Sequence, residues 1–241
     1  MSSLNSCSPD KKAINMNIQC TQPIDRTLWL QYLQGGGSTG AGQDPQQDMT
    51  RQLAGQMDEA EKLLLEAAEP RWVYRILERS QIPAEGISIE KHLEGCAQAA
   101  ILAVTLGSAV DELIRRSEIT NMVLAMVLDT GASVLVEQAA DLAEQEMNTE
   151  IAGKLPASFT TSRFSPGYGD YPIRHQREIL RLVDAGRRAG ITLTAGDMMV
   201  PHKSVTAVVG IADHPVQGRL ATCEECLLRE KCRLWRENRH C

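Results

Sequence analysis

The stretch NMVLAMVLDTGASVLVEQAADLAEQEMNTEI, residues 121–151, decides how the rest of the chain can fold. Its apolar stripe consists of residues that recur at helical spacing: Leu124, Leu128, Leu135, Ala139 and Leu142. A stripe with this period is typical of an amphipathic helix that buries one face. The stretch therefore predicts a long helix.

Patterns on either side of this stretch predict further helices and several short strands. Helices are predicted at residues 49–68, 108–117 and 173–189, the last one closed by Gly190. Strands are predicted at residues 72–77, 87–89, 100–106, 191–193 and 203–211, with helix as a competing interpretation of 100–106. Helices with a few separated strands indicate an α+β domain, in which helices pack on a mainly antiparallel sheet.

The chain is expected to form a single domain with two terminal segments. We expect a flexible tail at residues 1–22 and the domain at residues 23–215. Residues 216–241 are expected to form a tail that carries four cysteines. The stretch GGGSTGAG, residues 35–42, predicts a flexible loop, because glycine loses the most backbone entropy on ordering. It does not predict a phosphate-binding loop, since no Gly-Lys-Ser/Thr follows the glycines.

The composition argues against nucleic-acid and membrane partners. With a formal net charge of -6 and a pI near 5.5, the chain lacks the basic excess that replaces counterions on phosphates. The N-terminal segment lacks the apolar core of a secretory signal. The longest apolar stretch, residues 99–106, is far shorter than the ~20 residues that span a bilayer. These features predict a cytoplasmic protein.

The most unusual local chemistry lies in TSRFSPGYGDYP, residues 161–172. Its two prolines and two glycines predict a stiff, non-helical loop. Arg163 can clamp a carboxylate with two parallel hydrogen bonds, and a tyrosine face can stack on a purine or approach a sulfonium cation. These residue types indicate a site for a small zwitterionic ligand. The alternative is a surface turn whose aromatic side chains pack on the core.

Three other residues are expected to have no chemical role. Lys203 is predicted to face solvent. Asp170 is predicted to accept hydrogen bonds in the turn, not to act as a base. Cys96 is predicted to be a small buried apolar residue.

Two segments of the chain resemble a known family. The segments RFSPGYGD, residues 163–170, and MVPHKSVTA, residues 199–207, are similar to the activation domain of cobalamin-dependent methionine synthase in its stand-alone form. The likeness extends over about residues 25–215, with weaker agreement at 70–75, at 105–107 and around Glu137. The resemblance implies a domain that binds S-adenosylmethionine during reactivation of the methyltransferase.

The resemblance also implies which residues hold this ligand. The family binds it with an Arg-x-x-x-Gly-Tyr loop, whose arginine pairs with the methionine carboxylate. The matching positions are Arg163, Ser165, Gly167 and Tyr168. An acidic residue of the long helix also holds the ligand, and Glu137 or Asp141 would match it. Val209 and Gly210 stand where full-length members carry an aromatic pair, which predicts weaker or backbone-only contacts with the adenosine.

The chemistry implied by the resemblance is reductive methylation of cobalamin. One electron and a methyl group from S-adenosylmethionine convert inert cob(II)alamin into methylcobalamin, and the protein places the sulfonium methyl against cobalt. The chain has no cobalamin-binding Asp-x-His-x-x-Gly segment. The cobalamin is therefore expected on a partner, a corrinoid-binding methyltransferase. A reductase or a ferredoxin-like protein is the expected electron donor.

Four cysteines near the C-terminus form a second chemical signal. The predicted metal ligands are Cys223, Cys226, Cys232 and Cys241, with His240 as an alternative to Cys241, and they would hold either an iron–sulfur cluster or zinc. The alternative is a disordered tail that carries cysteines without a metal. The cluster is favoured because reactivation needs an electron, which zinc does not supply. Two other functions stay open: an iron–sulfur electron-transfer or metal-binding adaptor for a corrinoid protein, and a structural module that docks through its apolar helices.

Overall fold

The computed structural model describes residues 23–33 and 45–216 as helices packed on an antiparallel sheet, so the predicted α+β class is confirmed. The helices are α1 (Arg26–Leu33), α2 (Pro45–Ala67), α3 (Ile87–His92), α4 (Ser108–Thr120), α5 (Met122–Lys154), α6 (Gln176–Leu182) and α7 (Ala185–Arg188). The strands are β1 (Arg71–Glu78), β2 (Gln98–Thr105), β3 (Phe159–Thr160), β4 (Thr192–Leu193), β5 (Met199–Val200) and β6 (Ser204–Ala212).

The main sheet has its strands in the order β1-β2-β6-β3, and every neighbouring pair is antiparallel. The central strand β2 pairs on both sides, so that Val104 lies opposite Trp72 of β1 and Val205 of β6. Strands β4 and β5 form a separate two-stranded sheet. The strand interpretation of residues 100–106 is therefore confirmed over the competing helix.

Helices cover both faces of the main sheet. Leu102 and Val104 point to one face, where they share a core with α1, α2, α4 and α5. Ile101 and Ala103 point to the other face, where they pack with residues of α3, α6 and α7. Because successive side chains of a strand point to opposite faces, a sheet buried on both sides needs a continuous apolar run such as that of β2.

The predicted long helix is confirmed as α5, which runs slightly beyond residue 151. Asn121 caps it, since its side-chain oxygen accepts a hydrogen bond from the Leu124 N–H at 3.1 Å. By length and composition alone α5 could cross a membrane, but 56% of its most apolar window is buried inside the fold. The apolar face of α5 therefore builds the core of the domain.

Residues 87–89 form no strand, so that prediction is wrong. They begin α3 instead, because the N–H groups of Ile87 and Ser88 donate to the Asp170 carboxylate at 2.7 and 2.8 Å. A carboxylate at this end of a helix satisfies N–H groups that have no partner within the helix. Asp170 lies 83 and 82 positions away along the chain, so a distant residue decides this local structure.

The single helix predicted at residues 173–189 is broken into pieces, so its continuity was predicted wrongly. A 3₁₀ turn at Ile173–His175 leads into α6, and Asp184 separates α6 from α7. Asp184 has a φ of 55°, in the left-handed region where a helix does not continue. Gly190 follows α7 with a φ of 74°, which confirms the residue predicted to close this segment.

Gly131 of α5 allows a close contact with α1. A Cβ atom at Gly131 would overlap with Cζ2 of Trp29, whose side chain is fully buried. The indole N–H of Trp29 is held by the Val127 carbonyl at 3.1 Å. We expect Gly131→Ala to lower the free energy of unfolding by about 1–3 kcal/mol, the usual cost of overpacking a core, as measured by urea unfolding.

Gly153→Ala is the matched control on the same helix. Nothing lies within 4 Å of a Cβ atom built at Gly153. Because alanine has the higher helix propensity, we expect this variant to equal the wild type or to exceed its stability by up to about 1 kcal/mol. Equal stability of the two variants would contradict the close packing of Trp29 against Gly131.

Candidate functional site

The loop of residues 161–172 is joined to the main sheet. Phe164 pairs with Val208 of β6 through two backbone hydrogen bonds of 3.0 and 2.7 Å. The Ser165 hydroxyl donates to the backbone carbonyl of Thr206 at 2.6 Å. Both contacts directly follow Arg163, so the backbone that carries the arginine is fixed by β6. The Ser165 hydroxyl already donates its hydrogen to Thr206. A contact between Ser165 and a ligand stays a prediction.

The tip of the loop is a tight turn closed by backbone hydrogen bonds. The Gly167 N–H donates to the Tyr171 carbonyl at 2.8 Å, and the Tyr168 N–H donates to the Ser165 carbonyl at 3.2 Å. Gly167 and Gly169 have φ values of 97° and 54°, which glycine adopts without a steric cost. The two glycines of the motif are therefore needed for the curvature of the turn.

The Asp170 carboxylate fastens this turn to α3. Hydrogen bonds from the side chain and backbone of Ser88, and then from the Ile87 N–H, lower the pKa of Asp170 to about 2. A Cβ atom at Gly169 would lie 2.6 Å from the Ser88 Oγ, so the two segments are in close contact. The predicted role of Asp170 as a hydrogen-bond acceptor is confirmed, although the donors belong to α3.

The aromatic residues of the loop divide into buried and exposed ones. Phe164 stacks on His92 with ring centroids 4.9 Å apart, and on Tyr171 at 6.3 Å. The Tyr171 hydroxyl donates to the Pro83 carbonyl at 2.6 Å. Tyr168, in contrast, is 56% exposed. Packing on the core therefore accounts for Phe164 and Tyr171, while Tyr168 is open to a ligand.

The Arg163 side chain points to α5, where it lies among three carboxylates. Its Nη2 atom is 2.8 Å from Asp141 Oδ1 and 3.2 Å from Glu137 Oε2. Its Nη1 atom is 3.3 Å from Glu144 Oε2. Residues at this spacing lie on one face of a helix. The structure thus brings both acidic residues singled out in the sequence, Glu137 and Asp141, to the arginine.

The sequence interpretation misses Glu144 and Tyr32. Glu144 lies one turn beyond Asp141 on the same helix face, so the helical period counted from Glu137 could have found it. The pKa of Tyr32 is raised, first by partial burial and then by Glu137 and Tyr168, so these groups are within electrostatic reach. Tyr32 belongs to α1, and no local motif around it signals this proximity.

Burial and neighbouring charges shift the pKa values of two of these carboxylates. Desolvation is the main cause that raises the pKa of Glu137 and of Glu144; Arg163 opposes this shift and Asp141 adds to it. Within the described part of the chain, Arg163 is the one cation within ion-pair distance of the carboxylates of Glu137, Asp141 and Glu144. Its buried Nη1 atom has no hydrogen-bond partner there, since Glu144 lies close but out of line. The site therefore has excess negative charge and an unsatisfied donor.

Lys203 does not face solvent, so that prediction is wrong. Only 13% of its side chain is exposed, because its Nζ atom lies 2.8 Å from the Asp129 carboxylate and 2.9 Å from the Ser133 hydroxyl. The N–H of the preceding residue, His202, donates to the Asp111 carboxylate at 2.6 Å. The turn before β6 is therefore fastened to both α4 and α5.

Val209 and Gly210 lie inside the main sheet. Val209 is fully buried. A Cβ atom at Gly210 would lie 2.6 Å from the Sγ of Cys96, which is a buried free cysteine as predicted. Neither position has room for an aromatic side chain.

The four predicted metal ligands, Cys223, Cys226, Cys232 and Cys241, lie outside the described residues. Within residues 23–33 and 45–216, no group of three or more His, Cys, Asp or Glu side chains is placed to hold a metal ion. The metal centre stays a prediction from the sequence.

Comparisons with known proteins point to one family. Residues 89–217 match the family described as vitamin B12 dependent methionine synthase, activation domain. No curated protein matches the chain. Among solved structures, the crystal structure of the MetH reactivation domain bound to AdoHcy is similar, with a TM-score of 0.59 and 15% sequence identity over 88% of this chain and 81% of that chain. At this identity the structural likeness shows a shared fold.

Asp170→Asn tests how the turn is fastened to α3. Asparagine keeps one acceptor oxygen but loses the charge, so we expect the free energy of unfolding to fall by about 1 kcal/mol near neutral pH. Because the folded-state pKa of about 2 is below the unfolded value, the wild-type advantage is present above about pH 4 and is lost as the pH falls toward 2. Urea unfolding of both proteins at a series of pH values measures this difference in stability.

Glu118→Gln removes a charge from an exposed position at the end of α4 and serves as the control. Its stability should follow that of the wild type at every pH. A stability difference between wild type and Asp170→Asn that stays constant down to about pH 2 would contradict the assignment.

Proposed function

Because the chain belongs to the family of vitamin B12 dependent methionine synthase activation domains, we propose that it binds S-adenosylmethionine and supports reductive methylation of cobalamin. The matched residues, 89–217, are more than half of the chain. They include α5, the loop of residues 161–172 and β6, which together form the candidate site. The match and the geometry therefore concern the same part of the molecule.

The observation that carries the proposal is the environment of Arg163. Its backbone is fixed by β6, and its buried Nη1 atom has no hydrogen-bond partner among the described residues. A carboxylate is the acceptor that matches a guanidinium with two parallel hydrogen bonds. Arg163 therefore fits the methionine carboxylate of the proposed ligand.

The remaining groups of the site fit the other parts of this ligand. Glu137 would take the ammonium group, and the exposed face of Tyr168 would approach the sulfonium or stack on the adenine. Gly167 lets the ligand approach the backbone, since it has no side chain. Ser165 would act through the loop that its hydroxyl holds on Thr206. Support comes also from the structural neighbour, which is described as bound to AdoHcy.

The proposed role needs partner proteins. With S-adenosylmethionine bound, its methyl group and one electron would regenerate methylcobalamin carried by a corrinoid-binding methyltransferase. A reductase or a ferredoxin-like protein would supply the electron. The residues of this chain would bind the ligand and orient its sulfonium methyl, so their contribution is catalysis by proximity. The cytoplasm is the compartment in which we place this reaction.

The C-terminal cysteines offer a local carrier for the electron. If Cys223, Cys226 and Cys232 hold an iron–sulfur cluster, anaerobically purified protein will be brown and will contain iron and acid-labile sulfide. The double variant Cys223→Ala/Cys226→Ala should lose the colour, the iron and the sulfide. One zinc ion per chain without sulfide would exclude electron transfer by this segment. The adaptor alternative gains support only if the cluster is present and S-adenosylmethionine does not bind.

Replacing Arg163 tests the proposed ligand. We expect Arg163→Ala to weaken binding of S-adenosylmethionine by on the order of 2–5 kcal/mol in isothermal titration calorimetry, because it removes one partner of a partly buried charge pair. Arg163→Lys keeps the charge but loses the planar donor geometry, so its affinity should be intermediate.

Arg187→Ala is the matched control for charge. Arg187 is 87% exposed and lies near Asp184 within its own segment, so this variant should bind like the wild type. Circular dichroism and urea unfolding show whether each variant is folded. Equal affinities of folded wild type and folded Arg163→Ala would refute the proposed role of Arg163.

A further inference from the structure

The candidate site holds more acidic groups than the family resemblance implies. The resemblance calls for one acidic residue on the long helix, for which the sequence offers Glu137 or Asp141. In the structure both of them, and Glu144 as well, lie within 3.3 Å of the Arg163 guanidinium. With one guanidinium facing three carboxylates, negative charge is left unmatched among the described residues.

A bound ligand would redistribute these pairs. The carboxylate of an amino-acid ligand on Arg163 would compete with Asp141, which now lies 2.8 Å from Nη2, and with Glu144, which lies 3.3 Å from Nη1. A carboxylate that loses its guanidinium is stabilised again only if another cation approaches, because partly desolvated charges are costly when unpaired. The charges of the ligand therefore decide whether the rearrangement is favourable.

The two adenosyl compounds of the proposed reaction differ by one positive charge. Both carry a carboxylate and an ammonium group, but S-adenosylmethionine has a sulfonium where S-adenosylhomocysteine has an uncharged thioether. The first compound thus brings two cations to the acidic face of α5, and the second brings one.

We propose that Asp141 and Glu144 are specificity-determining residues, which make this site prefer the sulfonium ligand over the thioether product. The inference rests on the proposed function and deepens it. Glu137 pairs with the ammonium that both compounds carry, so it does not distinguish them. Asp141 and Glu144 supply the negative charge that only the sulfonium matches, and this attraction needs no direct contact. The site would thereby release its ligand once the methyl group has been transferred.

The burial of these carboxylates makes such selection effective. Glu144 exposes 22% of its side chain and Glu137 39%, so their charges are less screened than those of a fully exposed pair. Asp141 is more open, with 58% of its side chain exposed. Since desolvation raises the pKa of Glu137 and Glu144, the measurements are made at about pH 8, well above the ordinary pKa range of a carboxyl group.

The test compares the affinities of three ligands for the full chain by calorimetry. The ligands are S-adenosylmethionine, S-adenosylhomocysteine and sinefungin, in which a carbon bearing an ammonium group replaces the sulfonium. For the wild type we expect both doubly cationic ligands to bind more tightly than S-adenosylhomocysteine. Asp141→Asn and Glu144→Gln should each reduce this preference by about three- to tenfold, because each removes one nearby charge. The double variant should reduce it further.

Glu118→Gln is the control for the change in net charge. Glu118 lies near the end of α4, just before α5 begins. Asp141 lies on α5, roughly 28 Å along the helix axis from the first residue of α5. This variant should keep the wild-type preference. Glu137→Gln should weaken the binding of all three ligands by a similar factor.

The outcomes separate the inference from the proposed function. If the wild type binds the ligands but Asp141→Asn and Glu144→Gln keep its preference, the charge selection is overturned and the proposed function stands. If sinefungin behaves like S-adenosylhomocysteine, the preference does not depend on charge and the inference also fails. If the wild type binds none of the three ligands, the proposed function itself fails.

Discussion

Helix α5 has to pack in the core and face the loop of residues 161–172 at the same time. The rest of the structure depends on this constraint. Its apolar face packs on the main sheet and on α1, where Gly131 leaves room for Trp29. Because the period of a helix is fixed, this packing also fixes the direction of Glu137, Asp141 and Glu144. The charge presented to Arg163 is therefore set by the same helix orientation that fills the core.

The loop that faces α5 is held from two sides before any ligand arrives. Phe164 and Ser165 attach it to β6, and Asp170 attaches it to α3. A loop fixed in this way loses little further entropy when it binds a small molecule. Tyr168 remains exposed at its tip, so the turn combines a rigid backbone with an accessible aromatic face.

The elements that can be predicted from the sequence are those whose own residues decide their structure. Helix α5 follows from the period of its apolar positions, and β2 from a short apolar run that two helical layers bury. The loop motif likewise identifies Arg163, because its likeness to the family is local. The wrong predictions concern residues whose structure depends on distant partners. Asp170 accepts hydrogen bonds that start a helix at residues 87–89, and Lys203 binds Asp129, which is 74 positions away. Glu144 lies on the same face of α5 as Glu137 and Asp141, so the helical period counted from Glu137 could have identified it.

The attachment of Asp170 to Ile87 and Ser88 has a consequence for how the protein is made. It joins segments 83 and 82 positions apart, and the loop also needs Val208, which is translated later still. Closing such long stretches of chain costs entropy before the contacts offset it, so these contacts form late in folding. A nascent chain still on the ribosome would therefore lack the binding turn until β6 has emerged, and a peptide of residues 161–172 alone would not keep its shape.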